Sequence, residues 1–148
     1  MAPFTTRRVD VSDRVVREAL RSLALECFEA GDLVRLTDSW FLGGTWWVTR
    51  GAQRREVAFC GLRPSHHWAQ TGYLALAGVV PAARGQGLQK RLIRVRLAEC
   101  RRRGWHWAIT DTIDNPASAC SLIAAGFRPY HPSVRWGGQS STYWRRAL

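Results

Sequence analysis

The chain has 148 residues, 46% hydrophobic and 11% aromatic, with a net charge of +11. Those figures describe one globular domain, residues 1–148, with a sizeable core. No apolar run approaches the ~18 residues of a membrane span, and the opening residues Met1 to Arg8 lack the apolar centre of a signal peptide, so a cytoplasmic protein is expected.

In chain order, residues 12 to 30 predict a long helix. Ser12 suits the cap, Asp13 the first turn, and Gly31 the stop. Val15, Val16, Ala19, Leu20, Leu23, Cys27 and Phe28 recur at helical spacing. Residues 32 to 45 read as a loop or short helix carrying Trp40 and Phe41. Trp46 to Arg50 and Glu56 to Leu62 predict a hairpin about a polar turn. Pro64 to Trp68 is a loop, and Tyr73 to Val80 a long, central apolar strand. Leu88 to Arg103 predicts a second long helix ended by Gly104. It has two apolar tracks, Leu88/Leu92/Val95 and Ile93/Leu97/Cys100, with Lys90, Arg94 and Arg101 on a side between them. A strand from Trp107 to Asp111, a short helix from Asn115 to Ala125 ended by Gly126, and a last strand from Thr142 to Arg146 complete the order α, β, β, β, α, β, α, β. That order points to a mixed α/β sheet with crossovers.

Nearly all the positive charge is arginine, Lys90 being the only lysine. Arginine grips phosphate and carboxylate in bidentate fashion. The excess fits an anionic cofactor, an acidic substrate, nucleic acid, or simply a solvated basic face. Cys27, Cys60, Cys100 and Cys120 are widely spaced with no C-x-x-C pair, so free, buried thiols are expected and no metal site. Cys120, on a run of small residues, reads as a buried thiol and not a nucleophile.

The densest signal is Gly78 to Gln89, where an apolar strand meets Pro81 and then Arg84-Gly85-Gln86-Gly87 before a basic helix. Glycines let backbone approach a ligand closely, and the unpaired N–H groups opening a helix favour an anion. The pattern is neither the dinucleotide fingerprint nor a P-loop. The order Val79-Val80-Pro81-Ala82-Ala83-Arg84-Gly85-Gln86-Gly87-Leu88-Gln89 resembles motif A of the GNAT family, the GCN5-related N-acetyltransferases, with Gln89 where the family has Gly or Ala. Asp114 to Phe127 is similar to the same family's segment after its fifth strand, with Asn115, Ser118, Gly126 and Phe127 in matching places.

The resemblance implies a GNAT-like α/β fold, a central mixed twisted sheet of six or seven strands flanked by helices, whose splayed strand pair binds acyl-CoA. It implies acetyl-CoA as co-substrate, no metal, and transfer of an acetyl group to a primary amine of a small molecule, peptide or protein. Val79 and Val80 would bind the pantetheine arm through backbone, and an N–H there would polarise the thioester carbonyl. Amides of Gln86, Gly87, Leu88 and Gln89, after Gly85, would hold the pyrophosphate with Arg84 as charge partner. Asn115, with Ser118 nearby, would bind pantetheine or orient the adjacent backbone. A homodimer is an ordinary assembly for the family.

The chain departs from the family where acid–base residues are expected. Leu122 stands at the place of the frequent general-acid tyrosine, and Thr110 at that of a glutamate some members carry. Asp111, Glu56, His66, His67, Tyr130 and His131 are the nearest replacements, with Asp111 and Tyr130 the catalytic candidates. Catalysis by positioning with water as base is another route. Of the tryptophans, Trp46, Trp47, Trp107 and Trp144 are expected in the core or on a sheet face. Trp40, Trp68 and Trp136 fall in loops; in this fold class the loop after the first helix and the loop before the last strand border the acceptor site, where aromatic side chains suit a flat, apolar or cationic acceptor. The competing reading is a non-catalytic domain binding CoA, or nucleic acid through its basic face.

Overall fold

The computed structural model describes residues 3–33 and 36–148. Val34 and Arg35, within the predicted 32–45 segment, and Met1 and Ala2 lie outside the described residues. The elements run β1 (Thr5–Val9), α1 (Arg14–Cys27), α2 (Asp38–Leu42), β2 (Thr45–Arg50), β3 (Glu56–Pro64), β4 (Thr71–Val79), α3 (Leu88–Arg102), β5 (Trp107–Ile113), α4 (Pro116–Ala124), β6 (Arg128–Tyr130) and β7 (Ser141–Ala147). One seven-stranded sheet has the order β1-β2-β3-β4-β5-β7-β6. The β4–β5 pair is parallel, and β1–β2, β2–β3, β5–β7 and β6–β7 are antiparallel. This is the mixed α/β sheet expected from the element order, with β4 in the middle.

Two strands escaped the sequence reading, and both are edges. β1 carries Thr5-Thr-Arg-Arg-Val9, with no apolar alternation, and its ladder runs from Thr5↔Arg50 to Val9↔Trp46. Thr6 and Thr49 bond through their hydroxyls at 2.8 Å. β6 contains Pro129, which cannot donate to a ladder and is tolerated at a sheet edge.

Helix α1 is shorter than the predicted 12–30 at both ends. Asp13, not Ser12, is the cap and accepts from the Val15 N–H at 2.9 Å. Ser12 instead donates to the Asp10 carboxylate at 2.6 Å. The helix stops at Phe28, ahead of Gly31, because Phe28 turns to extended backbone and packs edge-on against Phe59, ring centroids 6.4 Å apart.

The chain forms two compact units, Met1–Leu62 with Leu76–Leu88 and Arg63–Ala75 with Gln89–Leu148. The first is built around Trp46, fully buried, whose indole N–H donates to the Phe41 carbonyl at 3.0 Å. Its ring lies against Gly61, the residue opposite it on β3, where a Cβ would come within 2.7 Å. Trp47 is also buried.

In the second unit, Leu92, Ile93, Leu97 and Cys100 of α3 are buried as the apolar tracks predict, and Lys90, Arg94 and Arg101 are exposed. Trp144 is buried and Trp107 half-buried. Both helices here end in the same way. Gly104 (φ +72°) and Gly126 (φ +87°) are left-handed. The following residues, Trp105 and Phe127, donate back to Cys100 and Leu122, and the glycines themselves donate to Arg101 and Ile123. This six-to-one and five-to-two pairing defines the Schellman stop. The Gly126-Phe127 pair thereby seals α4, with Leu122 and Phe127 both buried.

The β4–β5 ladder has three residue pairs, Thr71↔Trp107, Gly72↔Ala108 and Tyr73↔Ile109. Past them, side chains satisfy β4. Thr110 Oγ1 donates to the Leu74 carbonyl at 2.8 Å, and Arg96 Nη1 to the Ala75 carbonyl at 3.0 Å. Arg96, 3% exposed, stands between the two apolar tracks of α3 and was not expected inside. Its Nε donates to the Leu92 carbonyl at 3.0 Å, so the guanidinium is held by carbonyl dipoles. A carbonyl left without a partner in this interior costs about 1–3 kcal/mol. Arg96→Met should therefore lower unfolding stability by about that amount in urea titrations with an unchanged m-value.

Candidate active site

Two places concentrate chemistry. The first is the turn between β4 and α3. A 3-10 turn, Pro81–Ala83, leads into Gly85 (φ +78°) and Gly87 (φ +77°). A Cβ at either glycine would meet nothing within 4 Å, so backbone conformation, not space, calls for glycine here. Among the described residues, no protein group accepts a hydrogen bond from the Gly85, Gln86 or Gly87 N–H. The first amides of α3, from Leu88 and Gln89, have no intrahelical acceptor either. The result is a run of N–H groups without a protein acceptor, beginning on an exposed turn at the positive end of a 15-residue helix.

Arg84 is placed differently from a phosphate partner. Its Nε donates to the Val79 carbonyl at 3.1 Å and its Nη2 to the Cys27 carbonyl at 3.3 Å, in the last turn of α1. It braces the turn and occupies the negative end of a helix. The Val80 N–H donates to the Val57 carbonyl at 2.9 Å, which engages that amide within the fold. Asn115 is the N-cap of α4, its side-chain oxygen accepting from the Ser118 N–H at 3.1 Å, with Pro116 beginning the helix.

The second place is a pocket of about 390 Å³ in the second unit. His67 and Trp68 come from the β3–β4 loop, Ile109 from β5, Tyr130 from β6, His131 to Val134 and Trp136 from the β6–β7 loop, and Arg145 from β7. Stacked pairs build the walls, His67 on Trp136 with centroids 5.9 Å apart and Trp68 on Trp107 at 5.0 Å. Tyr73 meets Trp136 edge-on at 5.4 Å. The predicted loop tryptophans Trp68 and Trp136 thus line a cavity, whereas Trp40 sits on α2 against Trp46.

Strand alternation puts Asp111 and Tyr130 on the pocket's side of the sheet. Asp111 is opposite Tyr143 and Tyr143 opposite Tyr130, so the three form one row. Asp111 Oδ2 accepts from the Ser141 hydroxyl at 2.9 Å. Gly137 closes over this pair, and a Cβ there would fall 2.8 Å from Asp111 Oδ2. Its N–H donates to the Tyr143 oxygen at 2.9 Å. Burial pushes the Tyr130 hydroxyl above its ordinary pKa, against a hydrogen bond with Trp136 that lowers it. An indole N–H can only donate, so the Tyr130 oxygen accepts and its own proton stays available. The Tyr130 hydroxyl therefore stays protonated through the neutral range.

The other candidates scatter. His67 and His131 line the pocket and His66 does not. Glu56 begins β3 and faces Arg50 at 3.5 Å. Leu122 and Thr110, at the family's tyrosine and glutamate positions, serve the core and the β4 carbonyl. Arg145 went unnoticed in the sequence, although the period-two spacing of Tyr143 and Arg145 in β7 puts them on one face. Among the described residues, no cluster of His, Cys, Asp or Glu could hold a metal ion, and no helix is long and apolar enough to cross a membrane.

Residues 16–127 match the Acetyltransferase (GNAT) family, and the chain belongs to that family. No curated protein matches it. Among solved structures it is similar to a GNAT-family acetyltransferase from Staphylococcus aureus Mu50, at 18% identity and a TM-score of 0.76 over 99% of both chains. It is equally similar in fold to an IAA acetyltransferase from Bacillus cereus ATCC 14579, at 14% identity and a TM-score of 0.76 over 99% of this chain and 100% of that one. The acetyltransferase YncA of Salmonella typhimurium, solved with its cofactor acetyl-CoA, matches at 20% identity and a TM-score of 0.71 over 98% and 94%.

All four cysteines are free. Cys60 and Cys100 are buried and Cys27 half-buried, but Cys120 is exposed, against the expectation of a buried thiol. The small residues around it leave that face of α4 uncovered. Burial pushes Cys27 and Cys100 each up to about 11, so both stay protonated and unreactive near pH 8. A disulfide reagent at pH 8 should label one thiol per native chain rapidly, and Cys120→Ser should abolish that fast phase.

Proposed function

We propose that this protein is an N-acetyltransferase that moves the acetyl group of acetyl-CoA directly to a primary amine in a ternary complex. The observation that carries the reading is the run of unpaired N–H groups at Gly85, Gln86 and Gly87 leading into α3. Those donors fit a pyrophosphate, and no other group of the turn uses them. Gln86, Gly87, Leu88 and Gln89 hold the phosphates through backbone, and Gly85 makes the bend. Val79 and Val80 border the pantetheine arm at the end of β4, Arg84 keeps the turn in shape, and Asn115 and Ser118 set the entry to α4. The co-substrate supplies an acetyl carbon activated by its thioester.

The protein's own part is to orient the amine and move protons. The neutral amine nitrogen forms a C–N bond to the acetyl carbon, the C–S bond breaks, and the sulfur leaves with the electron pair. The nitrogen loses one proton, which Asp111 receives, and the sulfur gains one, which Tyr130 gives. Solvent returns a proton from Asp111 to Tyr130, so the site is regenerated. Tyr130 takes the role for which the family's tyrosine position holds Leu122.

Thermal unfolding with acetyl-CoA, CoA or adenosine diphosphate tests the cofactor reading. A ligand present at ~100 times its Kd stabilises the folded state by about 2.7 kcal/mol. All three should raise the Tm. No shift at millimolar acetyl-CoA would sink the transferase reading and favour a partner for the basic surface. Gly87→Val forces a side chain into left-handed backbone, at a cost of about 1–2 kcal/mol, and should shrink the acetyl-CoA shift. For the chemistry, Asp111→Asn and Tyr130→Phe should each lower kcat by roughly 100-fold in a thiol-release assay, with the acetyl-CoA shift retained. Full kcat in both variants would assign proton transfer to water.

A further inference from the structure

The guanidinium of Arg145 stands 5.2 Å from the centroid of Tyr130, 5.3 Å from Trp107 and 6.0 Å from Trp68. Three aromatic rings thus bound it where it lines the pocket. Among the described residues, no carboxylate or carbonyl bonds to it. Rings contact a guanidinium through its faces and leave its N–H fork without an acceptor. A second observation concerns its neighbour. Arg128 is directly opposite Arg145 in the β6–β7 ladder. Like charges facing each other across a rung are destabilising, and an anion held at that rung would relieve them. A fork-shaped donor, a paired positive charge and flanking aromatic planes match a carboxylate attached to a flat apolar body.

The opposite end of the same face carries the opposite charge. Arg145 shares its rung with Ile109, and Asp111 lies one side-chain repeat further along β5, about 7 Å away along the strand. We infer that this pocket is the acceptor site and that Arg145 selects amines that also carry a carboxylate beside an aromatic or other flat apolar group, the aromatic α-amino acids being the simplest members. The carboxylate lies on Arg145, the apolar body between the Trp68 and Trp136 walls, and the amine toward Asp111. This inference rests on the transferase reading of the same site.

Three probes separate the recognised parts: phenylalanine has ring, amine and carboxylate, phenethylamine lacks the carboxylate, and 3-phenylpropionate lacks the amine. With acetyl-CoA saturating, kcat/KM for phenylalanine should exceed that for phenethylamine at least tenfold, and 3-phenylpropionate should inhibit competitively. Arg145→Gln should collapse that preference at least tenfold, mainly through KM. Arg145→Lys, which keeps charge but not the fork, should fall between. The acetyl-CoA thermal shift, measured on each variant, reports that it is folded and loaded. Equal use of phenylalanine and phenethylamine by the wild type, or an unchanged preference in both Arg145 variants, would overturn the inference. So would acetyl-CoA binding with no turnover of phenylalanine and no quenching of tryptophan fluorescence by it, and that result would leave the cofactor reading standing. Loss of the acetyl-CoA shift in the wild type would instead remove both.

Discussion

The carbonyls of Leu74 and Ala75 set the main constraint on this architecture. β4 is a central, largely buried strand, and a buried carbonyl must find a donor. The parallel ladder to β5 stops after Tyr73↔Ile109. Beyond it, Thr110 and Arg96 supply donors with side chains. The strand can then continue to Val79 and deliver the chain to the glycine turn. The same two bonds fasten β5 and α3 to β4, and α3 is the helix that begins at that turn. A hydroxyl and a guanidinium thus hold β4 beyond its ladder with β5, up to the glycine turn.

The arginines show why net charge says little about function until burial is known. Arg96 is nearly inaccessible and acts as a multiple donor to carbonyls. Arg84 is exposed yet engaged, bracing a loop against the end of α1. Arg145 has rings on several sides and, among the described residues, no carboxylate partner. Arg102 and Arg103 both serve Glu99, whose carboxylate they hold down to about 2. A count of +11 joins these roles into one number, but each local environment assigns a different task. Arg145, with no acceptor among the described residues, is the arginine of these left able to bind something else.

The legible parts of the fold were those governed by local rules. Gly85 and Gly87 announce left-handed backbone, Asn115-Pro116 announces a helix start, and Gly104 and Gly126 announce Schellman stops. Each could be read from a few adjacent residues. The long apolar segments of β4 and α3 were equally plain, because their periodicity is strong. The failures share a cause. β1 and β6 carry Thr-Thr-Arg-Arg and Arg-Pro-Tyr, which show no buried face, and they are strands only because a neighbour offers a free edge. Ser12 and Asp13 were both competent caps, and Asp10 decided between them by engaging Ser12. Phe28 ended α1 early because Phe59 was there to receive its ring.

The sequence by itself determined the class of fold, the glycine turn ahead of α3 and the family to which the chain belongs, since these depend on glycine, proline and apolar spacing along a few consecutive residues. Tertiary structure alone decided which groups face one another. It brought Tyr130, Asp111 and Arg145 to one side of a sheet from three strands, set Trp68 and Trp136 around the same cavity, exposed Cys120, and turned Arg96 inward. Strand register and ring packing act between residues distant in the chain, and no local pattern encodes which partner will stand across a rung.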